Sequence, residues 1–162
     1  LNAGHEASVN VFGNGVVAML SRGLSPDTGS LPECVEEMLR FDSALQLFER
    51  TATVVVRIGD VYVQEGQKIG ALLGAANRDP ERFTDPDTLD IRRRSTGHLA
   101  FSHGIHQCLG QQLARTEMRI AFPALINRFP TLRLDVAAED VGLRPETADI
   151  YGVKSLPVTW DG

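Results

Sequence analysis

The stretch TATVVVRIGDVYVQEGQKIGALLG, residues 51–74, argues against an all-helical fold. A side chain forked at Cβ loses rotamer freedom against a helical turn and packs well on a pleated surface. Gly59-Asp60 and Glu65-Gly66 break the run into short pieces of the kind that hairpins join. A small antiparallel sheet is expected between about Gln46 and Gly74. Helical patterns flank it. Val9, Phe12, Val16 and Met19 recur at helical spacing over residues 1 to about 22, although Gly4, Gly13 and Gly15 each soften a helix interior. Ser30, with Glu33 three residues on, forms a capping box that opens a second helix running to roughly Phe41. Beyond Cys108, Ala114, Met118, Phe122, Leu125 and Phe129 mark one face of a long helix, with Pro123 as its kink point. SLPVTW near the end suggests a last strand. The fold class expected is mainly α with small antiparallel β-sheets, an α+β chain.

Charge and cysteine usage exclude several functions. A net charge of −5 argues against a nucleic-acid binder, whose footprint is a basic surplus. Cys34 and Cys108 lie far apart and are the two cysteines of the chain, so a disulfide framework is not expected and a cytoplasmic setting is. No apolar run reaches the length that crosses a bilayer, so no membrane partner is expected. The chain begins at Leu1 inside a helical pattern and without Met, which reads as a cut. NRDPERFTDPDTLDIRRRSTG, residues 77–97, is a long loop by its Asp, Pro and Gly content, and such a loop is usually functional or tightly packed.

HLAFSHGIHQCLG, His98 to Gly110, concentrates three histidines and a cysteine in thirteen residues. Three readings of Cys108 compete. One is a buried, inert thiol. Another is zinc bound by His98, His103, His106 and Cys108, although His106 and Cys108, two apart, point to opposite sides of an extended segment. The third is a thiolate ligand to haem iron. A cysteine just before a helix gains the positive end of its dipole and its unpaired N–H groups. Gly104 and Gly110 would let the backbone pass close under a flat macrocycle, and Phe101 would supply an apolar wall.

Phe101, Gly104, His106, Cys108 and Gly110, spaced as FSHGIHQCLG, resemble the haem-binding loop of the cytochrome P-450 superfamily. Glu37-Met38-Leu39-Arg40 is similar to its E-x-x-R, and LNAGHEAS to the A-G-x-[DE]-T-[TS] stretch of its central helix. The order of the three matches the family, and RDPERFTDPDTLDIRR looks like the bacterial form of the segment before the haem loop. The resemblance covers nearly all of residues 1–162, from the central helix onward. It implies the C-terminal portion of a P-450 domain with the N-terminal portion absent.

The resemblance implies heme b, iron protoporphyrin IX, with Cys108 as its thiolate ligand, and a haem-thiolate monooxygenase that inserts one oxygen atom from O2 into a small hydrophobic organic substrate. His106 and Arg50 would bond haem propionates. Glu37 and Arg40, with Arg93, would form a buried ionic network holding the Cys loop. Ala3 and Gly4 match the place where the central helix makes room for dioxygen, and Glu6 the acid of the family's acid–alcohol pair. Ala7 stands where Thr is usual and Ser8 follows it, so the alcohol must come from Ser8, a water or the substrate. Ser102 departs from a common Gly. Substrate contacts are expected from Leu1 and His5, from SALQLF and from YGVKSLP. Arg92, Arg93, Arg94 and Arg115 would receive an acidic, ferredoxin-type redox partner. Taken alone, the chain is expected to be inactive and to self-associate through Val9, Phe12, Val16, Leu45, Leu47 and Phe48. The alternative reading is a non-catalytic, self-associating fragment that lacks haem.

Overall fold

The structure is a computed structural model that describes residues 2–24, 30–145 and 150–162. Three helices build the core: α1 (Asn2–Leu20), α2 (Leu31–Phe41) and α4 (Gln111–Arg128). Each packs on the other two. Val16 and Met19 of α1, Met38 and Leu39 of α2, and Met118 and Phe122 of α4 are buried together. Phe12 stacks on Phe122 with ring centroids 4.6 Å apart. Of the three glycines that weaken α1 by propensity, Gly13 and Gly15 turn out to be packing notches, while Gly4 fronts open space. A Cβ on Gly15 would stand 2.8 Å from the Phe122 ring and 3.0 Å from Met38 Sδ, so only glycine lets the helices approach this closely. The entry to α2 also differs in detail from a capping box. The Ser30 carbonyl accepts the Cys34 N–H at 2.9 Å, with Pro32 in the first turn, and no side-chain cap bond is made.

The β-branched run forms two nested antiparallel pairs rather than one sheet. β1 (Leu47–Thr51) pairs with β4 (Lys68–Leu72), Leu47 opposite Leu72 and Arg50 opposite Ile69. Between them β2 (Val56–Ile58) and β3 (Val61–Val63) form a hairpin about Gly59 and Asp60, with Gly59 at φ 58°. The hairpin leaves Val54, Val55, Val61 and Tyr62 exposed. A short helix, α3 (Leu73–Ala76), follows, and β5 (Arg133–Leu134) closes on β6 (Val158–Thr159), where the last strand was expected.

Residues 77–100 carry no helix or strand, yet they are fixed. Asn77 is fully buried, and its side-chain oxygen accepts the Leu99 N–H at 2.6 Å, pinning the two ends of the loop together. Its amide nitrogen donates to Ser43 Oγ at 2.7 Å. Arg40, also fully buried, donates to the carbonyls of Asn77 and Pro86 at 2.8 Å each and of Thr88 at 3.3 Å. One guanidinium thus supplies donors that a helix or strand would otherwise provide. No described helix is long and apolar enough to cross a membrane.

Candidate functional site

The first turns of α1 and the segment before α4 face one cleft of about 410 Å³. Ala3, Gly4, Ala7 and Ser8 line one side, at the i, i+1, i+4, i+5 spacing that puts them on one helix face. Ala100, Phe101 and Ser102 continue the lining, and His106, Cys108 and Gly110 complete it with Leu113 and Glu117 of α4. Ala44 and Leu45 from the loop after α2, and Phe48 of β1, also reach it. The lining is apolar apart from a few groups, of which His106, Cys108 and Glu117 can titrate.

Cys108 is exposed, whereas Cys34 is fully buried in the helical core. Burial, and then the nearby Glu37 charge, push the Cys34 thiol up to about 12, so it stays protonated and inert. The loop that presents Cys108 is held by its own backbone. The Cys108 N–H donates to the Phe101 carbonyl at 3.0 Å, the Gln107 N–H to the Gly104 carbonyl at 3.0 Å, and the Gln111 N–H to the Cys108 carbonyl at 3.4 Å. Gly104 opens a single 3₁₀ turn, Gly104–His106, at φ 80°, a conformation that costs other L-residues about 1–2 kcal/mol. Ser102 takes φ 60° and bears that strain with a side chain.

The same loop fits a flat apolar group. Nothing lies within 4 Å of a Cβ built on Gly104 or Gly110, so both glycines front open space. Ile105 and Leu109 beside Cys108 are 97% and 102% exposed, apolar side chains without a protein surface against them. A thiol, two open glycines and unpaired aliphatic side chains are the donor set and walls that haem takes. Zinc finds no such match. Among the described residues no three His, Cys, Asp or Glu side chains converge on a metal position, and His98 is turned to Glu36 at 3.0 Å.

Two ionic clusters brace the loop from behind. Glu37 and Arg40 are fully buried and joined by two bonds, Nε to Oε2 at 2.7 Å and Nη2 to Oε1 at 2.8 Å. Arg93 Nε reaches Glu37 Oε1 at 3.2 Å, Ser95 Oγ donates to Oε2, and the Asp90 N–H donates to Oε1 at 2.9 Å. Burial works against ionisation of Glu37, but the bonds from Arg40, Ser95 and Asp90 outweigh it and hold the carboxyl below its usual range. The network inferred for Glu37, Arg40 and Arg93 is therefore present. Glu36 forms the second cluster with Arg115 and His98. No local pattern signals it, because Arg115 and His98 lie 79 and 62 residues away.

Other anticipated residues stand outside the cleft. The Glu6 carboxylate lies 3.7 Å from Arg144, and Glu6 is not among the lining residues although Ala7 and Ser8 are. Arg50 Nη1 donates to the neighbouring Glu49 carbonyl at 2.9 Å, and its guanidinium lies 5.3 Å from the Phe48 ring centre. His5 is exposed, and Leu1 falls outside the described residues. The YGVKSLP segment does not line the cleft but packs on α1, where a Cβ on Gly13 would come within 2.9 Å of Val153. Two of the four arginines proposed for a redox partner are otherwise engaged, Arg93 with Glu37 and Arg115 with Glu36, while Arg92 and Arg94 are exposed. The face expected to self-associate is partly core: Val16 is 2% exposed and Phe12 stacks on Phe122, whereas Val9 and Leu47 are open.

Comparison with known proteins agrees with this architecture. The family model described as "Cytochrome P450" matches residues 30–142. "Cytochrome P450 107B1" of Saccharopolyspora erythraea is 46% identical over 98% of this chain and 40% of its own length. The solved structure titled "Structure of the tirandamycin C-bound P450 monooxygenase TamI" superposes with a TM-score of 0.91 at 46% identity, over 99% of this chain and 41% of that one. The structure of "cytochrome P450 MoxA from Nonomuraea recticatena" gives 0.93 at 42% identity, over 99% and 41%. The fold is the P450 fold over the matched part, helices with small antiparallel sheets. The chain belongs to the cytochrome P450 family. It spans about two fifths of the length of the curated relatives it matches.

Proposed function

We propose that this chain is the haem-thiolate part of a P450 monooxygenase domain, from the central helix onward, with Cys108 as the ligand to heme b. The observation that carries the reading is the position of Cys108. It is an exposed thiol on an apolar cleft, three residues ahead of the first residue of α4, across from Ala3, Gly4, Ala7 and Ser8. Bound haem iron would supply the activation of O2 and the insertion of one oxygen atom into a substrate, with electrons from a redox partner.

The chain's own residues prepare that chemistry. A thiolate bound to iron at Cys108 would lie just ahead of α4, beside the positive end of that helix. Phe101, Gly104 and Gly110 shape the wall, and His106 with Arg50 are the partners for the propionates. Arg50 would exchange a neutral carbonyl for a charge-assisted bond. Ala3 and Gly4 leave space for a small gas molecule. Ser8 on the cleft carries the hydroxyl that Ala7 lacks, so proton delivery is assigned to Ser8, a water or a hydroxyl of the substrate, while Glu6, paired with Arg144, supplies the carboxylate of the same helical turn. The apolar lining excludes water and suits a small hydrophobic organic substrate. An acidic, ferredoxin-type partner is drawn to the exposed Arg92 and Arg94.

The test is the absorption spectrum of the reduced, carbon monoxide-bound protein. Cys108→Ala is expected to lose the long-wavelength band diagnostic of thiolate ligation, and Cys34→Ala to keep it. Equal loss in both, or retention in both, would remove Cys108 from the ligand position.

A further inference from the structure

The Glu37 cluster fixes the loop before the Cys segment, while the Glu36 cluster acts on the Cys segment itself. Arg115 of α4 grips the Glu36 carboxylate from two sides, Nε to Oε1 at 2.6 Å and Nη2 to Oε2 at 2.9 Å. His98 Nε2 lies 3.0 Å from Oε2, and Arg119 Nη2 stands 3.9 Å from Oε1. The Ala100 N–H donates to His98 Nδ1 at 3.2 Å, which leaves Nε2 to carry the proton that Glu36 accepts. Arg115 Nη1 donates to Gln111 Oε1 at 2.9 Å. A guanidinium bonded along both edges cannot slide in its plane. Its Cζ lies over the Phe101 ring, 4.6 Å from the centroid. The Phe101 carbonyl in turn holds the Cys108 N–H. Carboxylate, guanidinium, ring, carbonyl and amide thus form one unbroken path from α2 to the thiol.

We propose that Glu36 is a positioning residue for Cys108, acting through Arg115 and Phe101; this rests on the reading of Cys108 as the haem ligand. His98 is the second anchor of the same carboxylate, and through Ala100 it fixes the backbone just ahead of Phe101. A carboxylate in this place does what an uncharged side chain cannot: it holds one cation over an aromatic ring while orienting an imidazole. Burial alone would push the Glu36 carboxyl up, yet the bonds from His98 and Arg115 and the Arg115 charge bring it down to about 2, so the anchor keeps its charge at neutral pH.

The test uses haem-loaded protein that includes this chain, as wild type, as Glu36→Gln, as Arg115→Lys, and as Asp60→Asn in the exposed Arg57–Asp60 pair for a control. The ratio of thiolate-type to thiol-type bands in the reduced, carbon monoxide-bound spectrum is read across a pH series, together with total haem content. Glu36→Gln is expected to raise the thiol-type share several-fold over wild type. Arg115→Lys should fall between the two, and Asp60→Asn should match wild type. A purely structural role would lower haem content and leave the band ratio unchanged, and that result overturns the proposal. If Glu36→Gln takes up no haem, Arg115→Lys decides, and a wild-type ratio in it overturns the proposal. A wild type with no thiolate band at any pH is the distinct failure, since it removes the ligand assignment itself.

Discussion

Ser102 holds φ 60° with a full side chain, two residues before Gly104 at φ 80° in the same loop. Glycine adopts that region without the Cβ penalty, so Ser102→Gly is expected to stabilise the protein by up to about 1 kcal/mol, less the added freedom of the unfolded chain. A denaturation midpoint unchanged or lowered by Ser102→Gly would show that the serine is held there by contacts worth more than the strain. The sequence marked both positions through the resemblance of FSHGIHQCLG to the P-450 haem loop, Ser102 as a departure from a common Gly and Cys108 as the expected ligand, but not the positive φ of Ser102. Glu36 was not visible. Its neighbour Glu37 carries the motif, whereas the partners of Glu36 come from distant segments that only folding brings together. Glu6 shows the reverse: its type fits a motif, but its nearest cation is Arg144, on a segment the motif does not include.

Among the elements, α2 bears the buried charges. Removing one partner of a buried ion pair strands the other, so Arg40→Ala is expected to cost about 3–5 kcal/mol and to expose the carbonyls of Asn77, Pro86 and Thr88 as well. A loss under about 1 kcal/mol in chemical denaturation would mean that the loop at 77–100 does not depend on that guanidinium. The acid response belongs to the same helix. Glu36 has its carboxyl lowered from 4.5 to about 2, and a depressed carboxyl adds stability above its unfolded value that disappears as pH falls through the folded one. Its contribution, about 3 kcal/mol when complete, is therefore present above pH 4.5 and lost on the way down to pH 2. Glu36→Gln should flatten stability against pH across that interval, and a profile as steep as wild type would place the acid sensitivity elsewhere. The elements themselves were legible: three helices, short strands and a structured loop follow from periodicity and turn residues. Propensity misjudged Gly15, since a scale of helix preference contains no term for Phe122 and Met38 pressing on the same spot. The single sheet became two nested pairs because Val54 and Val55 stay outside both ladders.

For the whole molecule, the described residues build a core of three helices and leave apolar surface open, most of all around the cleft and on the hairpin. Leu109 and Leu113 stand exposed at the cleft, Ile105 in the same loop as Leu109, and Val54, Val55, Val61 and Tyr62 on or beside the hairpin. Contiguous apolar surface of this kind attracts partners or copies. The 162-residue polypeptide made by itself is expected to sediment as concentration-dependent oligomers, and a monomer across micromolar concentrations would show that these residues do not form a working patch. The central claim, that Cys108 binds the iron of haem, is tested most directly by X-ray absorption at the iron edge of haem-loaded protein that includes this chain. One sulfur in the iron's first shell is the predicted result for wild type and for Cys34→Ala, with none in Cys108→Ala. A first shell of nitrogen and oxygen alone in wild type, or a sulfur that survives Cys108→Ala, would contradict it.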